Sequence, residues 1–203
     1  MTTGDTRDVS YAERLEGFDR GWRRLLDVQR PYRWHIRRLD LGFVLDLGCG
    51  VGRNLSHLNG NGVGVDHSAA TVERARARGL QAFTPEEFHS SNFAQSHRFD
   101  ALLVAHVVEH MTFSEAAALV TEYLPLVRPG GRVVFIVPQR AGFRSDPTHV
   151  EFFDESALRR LAHTVGLEVS RCYSFPFIAW AGGLFPYNET VLIATVHDAG
   201  GHR

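Results

Sequence analysis

From Phe43 onward, short apolar runs alternate with longer stretches in which apolar residues recur every three or four positions. The short runs read as strands and the longer period as amphipathic helix. The pattern predicts strands near 43–47, 62–66, 81–83, 100–105, 132–137, 167–173 and 190–196, and helices near 53–58, 68–78, 114–127 and 154–165. Asp154 is placed to cap the last of these helices and Gly166 to end it. Such alternation implies an α/β protein with a seven-stranded, mostly parallel sheet and helices on both faces. No helical pattern separates the last two strands, so the final strand is expected to run antiparallel, leaving Ser174 to Asn188 as a long aromatic connection. Ahead of the alternation, Tyr11, Leu15, Phe18, Trp22, Leu25, Leu26 and Trp34 stand at helical spacing among arginines. They predict two amphipathic helices separated at Pro31, forming a cap segment over residues 1–40 before a single folded domain over 41–203.

The first strand runs into Val44-Leu-Asp-Leu-Gly-Cys-Gly-Val-Gly52, and the second closes on Val63-Gly-Val-Asp66. Gly48, Gly50 and Gly52 remove side chains where backbone must approach a ligand closely, and Asp66 stands where a ribose diol can be held by two hydrogen bonds. A dinucleotide fingerprint would need a further glycine at 53 or 55, where Arg53 and Leu55 stand instead. Asp46, two residues before the first glycine, suits an ammonium group better than a pyrophosphate. The nucleoside cofactor expected is therefore cationic.

These residues resemble motif I and the motif II acid of the class I S-adenosylmethionine-dependent methyltransferases. Arg98-Phe-Asp-Ala-Leu-Leu-Val-Ala-His-Val-Val-Glu-His-Met111 resembles the fourth-strand motif of that family, and Val127-Arg-Pro-Gly-Gly-Arg-Val-Val-Phe-Ile-Val-Pro138 its fifth. The resemblance, over roughly residues 40 to 140, implies a Rossmann-like fold and S-adenosylmethionine as cofactor. It implies Asp46, Gly48, Gly50 and Gly52 around the methionine moiety and Asp66 on the ribose, with Cys49, His67 and His106 among the other cofactor-contacting residues. The family commonly has an acid just after strand three; here Pro85 takes that place and Glu86 follows it, so Glu86 is the expected adenine-side residue.

After strand four comes His106-x-x-Glu109-His110, and about forty residues later Asp146-Pro-Thr-His149. A helix starting at 106 would set its first, fourth and fifth residues on one face, with His149 closing from the opposite side. This resembles the metal-assisted O-methyltransferases, including ubiquinone-pathway and small-RNA 2′-O-methylating enzymes, whose pattern is E-x-x-E-H with a distant histidine. The implied ligands are His106, Glu109, His110 and His149, with His106 in place of the family's first acid. That set is softer than magnesium prefers and suits manganese or zinc at least as well. Without a metal, His110 or His149 is a candidate general base oriented by Glu109, and a purely structural role for the group is the remaining alternative.

With 22 basic and 23 acidic residues the net charge is −1, which gives no global footprint for nucleic acid. Every basic residue is arginine, so a lysine general base is excluded. Cys49 and Cys172 are isolated thiols, and the chain has neither a signal-peptide pattern nor an apolar run of membrane-spanning length, so a cytoplasmic setting with no membrane partner is expected. The aromatic connection is equally suited to an acceptor wall or a homodimer contact. The expected reaction is O-methylation of a small hydroxylated acceptor, such as a sugar, polyol or phenolic metabolite. The alternatives are N- or C-methylation, methylation of an RNA ribose, or a non-catalytic role as a cofactor-binding activator of a partner.

Overall fold

The computed structural model describes residues 30–183 and 186–197. Its elements are helix α1 (Arg30–Arg38), strand β1 (Val44–Leu47), α2 (Arg53–His57), β2 (Gly62–Val65), α3 (Ala69–Ala77), β3 (Ala82–Phe83), α4 (Pro85–His89), β4 (Phe99–Ala105), α5 (Phe113–Tyr123), β5 (Val127–Pro138), α6 (Arg140–Ser145), α7 (Glu155–Thr164), β6 (Leu167–Phe175) and β7 (Glu189–Val196). Short 3₁₀ turns cover Val108–His110, Leu124–Leu126 and Ala179–Gly183.

All seven strands form one sheet in the order β3-β2-β1-β4-β5-β7-β6. β1 pairs in parallel with β2 and β4, while β7 lies antiparallel between β5 and β6. Period-two alternation divides the apolar residues between the two faces. Leu102 and Val104 of β4, with Val133, Phe135 and Val137 of β5, join the larger core with Tyr123 of α5 and Leu158 and Leu161 of α7. Ala101, Leu103, Val134 and Ile136 point to the other face, where Ile36 and Leu39 pack. Ile36 is fully buried there, a contribution of about 1.5–3 kcal/mol to holding α1 on the sheet.

The longer helices carry the caps their sequences announce. Asp154 accepts from the Ala157 amide at 2.9 Å to start α7, and Gly166 follows its end at φ +76°. Two short helices, α4 and α6, do not appear in the hydrophobic pattern. α4 does carry a local signal, the Thr84–Glu87 capping box with Pro85 in its first turn. Pro31 lies inside α1 rather than between two helices, a position Pro tolerates near a helix start. The first of the two expected N-terminal helices falls outside the described residues.

The parallel strands β1, β2 and β4 end level with one another, with Leu47 beside both Val65 and Val104. Because β7 runs the opposite way, its first residue, Glu189, reaches the same edge and pairs with Pro138 at the end of β5. In open α/β sheets this carboxyl edge is where ligands bind. No helix among the described residues is long and apolar enough to cross a membrane.

Candidate active site

The loop after β1 turns sharply because its glycines take backbone conformations that side chains disfavour. Gly48 and Gly52 have φ of +64° and +78°, and a Cβ on Gly48 would lie 2.4 Å from Val107. Gly48 is exposed and Gly50 half-buried, so the loop's backbone faces the cleft. The Gly50 amide donates to Asp66 at 2.8 Å, while the Ser68 amide and the Thr71 hydroxyl donate to the other carboxylate oxygen at 2.9 and 2.8 Å. Three donors thus fix the Asp66 carboxylate at the loop's edge: one oxygen accepts two hydrogen bonds, and the other accepts one and keeps a lone pair.

Asp46, at the heart of β1, is fully buried, and one oxygen accepts from the Asn54 amide at 3.3 Å. The other oxygen has no partner. Burial raises the Asp46 carboxyl to about 7, only partly offset by the Asn54 hydrogen bond and the Arg53 charge. A buried carboxylate oxygen without a donor is costly unless a ligand supplies one, and an ammonium group fits that need. Tyr32 of α1 donates to Asn54 at 3.4 Å, so the described end of the cap segment reaches this pocket. Burial and the nearby Glu189 charge push the Tyr32 phenol well above its ordinary value.

Several other expected cofactor residues sit differently. The Cys49 side chain turns away from the cleft into the small core of Leu55, Val72, Ala75 and Ala82, and burial raises its thiol. His67 is exposed and lies 3.7 Å from Asp66. Glu86 is exposed in the first turn of α4, where its neighbour Glu87 makes the cap and pairs with Arg76 at 2.6 Å.

The expectation of a helix beginning at 106 is corrected. His106 adopts a left-handed conformation, φ +59°, and the chain then makes only a 3₁₀ turn over Val108–His110. Helical spacing therefore does not apply, and His106 touches Glu109 but does not join the cluster that Glu109 forms with His110 and His149. Its Nδ1 faces Glu109 at 3.2 Å and its Nε2 faces Glu189 at 2.8 Å. Burial opposes its charge, but Glu189 and Glu109 outweigh burial and raise its pKa to about 10.

Glu109, His110 and His149 do converge, each offering a ligand atom within 4.8 Å of the others. The backbone delivers His149: the Glu109 carbonyl accepts from the amides of Val150 at 2.7 Å and Glu151 at 3.3 Å, tying that segment to the 3₁₀ turn. His149 donates from Nδ1 to the Phe143 carbonyl at 2.7 Å, and the His110 Nδ1 lies 3.4 Å from the Thr148 carbonyl. Both rings thereby keep Nε2 as an open lone pair, the arrangement that orients metal-binding imidazoles. Glu109 is fully buried, with Oε2 unpartnered. Two imidazole nitrogens and one carboxylate oxygen aimed together can hold a divalent cation or, without one, relay a proton.

Sequence reasoning missed Glu189, Tyr32 and Asn54. Asn54 had a signal, as the polar residue opening the helix that follows the glycine loop. Glu189 had a weaker one, an acid at the start of a strand whose reversed direction brings it to the ligand edge.

Residues 18–171 match a family model described as a methyltransferase domain. A search of the curated proteins returns no match. Among solved structures, a SAM-dependent methyltransferase from Archaeoglobus fulgidus is similar with a TM-score of 0.66 at 17% identity, over 86% of this chain and 97% of that one. A Haloferax volcanii complex between the Trm112 methyltransferase activator and a methyltransferase gives 0.69 at 17% identity, covering 97% and 100%. Magnesium protoporphyrin IX methyltransferase from Synechocystis PCC 6803, with bound SAM, gives 0.59 at 16% identity, covering 97% and 100%. At these identities the likeness shows the shared fold.

Proposed function

The chain belongs to the methyltransferase-domain family and is an S-adenosylmethionine-dependent enzyme, and from that premise we propose that it methylates a hydroxyl oxygen of a small sugar, polyol or phenolic molecule with help from a divalent ion. The observation that carries the reading is the convergence of Glu109, His110 and His149, with both imidazoles held by carbonyls and one Glu109 oxygen unpartnered.

Asp46 takes the cofactor's ammonium group, the glycine loop lies along its methionine moiety, and Asp66 holds its ribose. His67 and Glu86 line the outer, nucleoside end, and α1 covers the pocket with Tyr32 closing over Asn54. The cofactor brings a methyl on an already activated leaving group, so the protein's main task is alignment, worth roughly 7–11 kcal/mol. The remaining task is removal of the acceptor proton. An aliphatic hydroxyl is about as weak an acid as water, near 15.7, and an ion such as manganese, zinc or magnesium lowers that by several units. Glu109, His110 and His149 would hold such an ion at the carboxyl edge, where a hydroxyl approaching the methyl must pass. If no ion is held, His149 is placed to take the proton, as its Nδ1–H is already committed to Phe143.

Labelled methyl transfer to a panel of polyols, sugars, catechols and phenols tests this directly. Chelator is expected to lower transfer by at least about 100-fold, with recovery on added manganese. Full activity in chelator would remove the ion from the mechanism. His149→Ala should abolish transfer while calorimetry shows the affinity for the demethylated cofactor unchanged.

A further inference from the structure

His106 occupies the position at which the chain's motif would place a ligand, yet both of its ring nitrogens are spent elsewhere. Nε2 lies 2.8 Å from Glu189 Oε1 and Nδ1 lies 3.2 Å from Glu109 Oε1. With each ring nitrogen already at hydrogen-bond distance from a carboxylate, neither is left to face a metal. The backbone is committed to this placement. His106 holds φ +59°, uncommon for a residue with a side chain, while its amide donates to the Ile136 carbonyl of β5 at 2.9 Å. Glu189 is equally fixed. It is about nine-tenths buried and opens β7, and its carbonyl accepts from the Gln139 side chain, which also donates to Ser174 at 2.7 Å.

We propose that Glu189 and His106 are positioning residues: Glu189 anchors the His106 ring, which holds one oxygen of Glu109 so that the other points at His110 and His149. The inference rests on the metal reading above and sharpens it. The donor set becomes two imidazoles and one carboxylate, with His106 withdrawn from it. Such a set leaves several coordination positions open for a chelating acceptor and selects a first-row transition ion over magnesium, which prefers oxygen ligands. A vicinal diol or catechol, presenting two oxygens, is the acceptor class that matches those open positions.

The test measures manganese binding by calorimetry on the full chain saturated with the demethylated cofactor. Wild type should bind manganese more tightly than magnesium. Glu189→Gln should weaken manganese binding about 10- to 100-fold, the range typical of losing an outer partner of a ligand. His106→Asn, which tolerates the left-handed conformation, should weaken it similarly. Adding Glu189→Gln to His106→Asn should change little further, because the two act through one another. Wild-type circular dichroism and a cooperative thermal melt in each variant show that the fold is retained. Manganese affinity within two-fold of wild type in Glu189→Gln, or fully additive losses, would overturn the clamp while leaving the metal reading intact. A wild-type chain that holds the cofactor product but binds no manganese would sink both.

Discussion

Asp46 concentrates the conflict between stability and binding in one side chain. Its carboxyl is raised to about 7 by burial, whereas the unfolded chain releases that proton near the ordinary value of about 4. Between those two values the folded protein retains a proton the unfolded one has lost, so the ligand-free protein should lose stability as pH rises across that window. Asp46→Asn should remove this loss and stabilise the ligand-free protein at pH 8 by about 1–3 kcal/mol in a denaturant titration, while abolishing cofactor binding. For wild type, affinity for the demethylated cofactor should fall as pH drops below about 7, because the ammonium pairs with the ionised carboxylate. Affinity that is flat between pH 6 and 8 would argue against Asp46 as its partner. The placement of Asp46, the loop glycines and Asp66 at one edge of the sheet was readable from spacing. The role of His106 was not, because helical geometry was assumed where the backbone turns left-handed.

At the scale of elements, the site depends on α1 staying docked. This helix has arginines along its length, yet His35 and Ile36 are buried, and Tyr32 reaches Asn54 on α2. Ile36→Ala should cost about 2–5 kcal/mol. Because α1 carries Tyr32, the same variant should weaken cofactor binding beyond what global destabilisation explains, as read by calorimetry well below the melting temperature. An unchanged cofactor affinity would mean that α1 is scaffold alone. The strands were legible as short apolar runs set off by polar and glycine residues, and the longer helices by their period. α4, α6 and the 3₁₀ turns at Val108–His110 and Ala179–Gly183 span six residues or fewer and show no hydrophobic period, although α4 carries a capping box. The aromatic connection is partly structured: Asn188 accepts from the Phe177 amide at 2.9 Å and donates to Gln139 at the same distance, while Phe177, Ile178, Trp180 and Tyr187 remain exposed.

For the whole molecule, the cofactor pocket joins β1, α2, β2 and α1, so ligand binding should be felt as global stability. At a concentration 100 times its dissociation constant, the demethylated cofactor adds about 2.7 kcal/mol, a rise in melting temperature of about 5–11 °C for a domain of this size. Asp66→Ala should erase most of that shift in a thermal melt, and His149→Ala should preserve it. A shift lost in His149→Ala would place that residue in the cofactor pocket instead. The sequence alone determined the seven-strand α/β architecture, the reversal of the last strand and the cationic cofactor, since alternation, periodicity and glycine spacing are local properties of the chain. Only the tertiary structure decided how the titratable residues are shared out. It brought Glu189 from the far end of the chain beside His106, and it kept His106 out of the cluster of Glu109, His110 and His149. The reason is geometric: a reversed strand and a single left-handed residue set the directions of side chains 83 positions apart, and no local pattern records a direction.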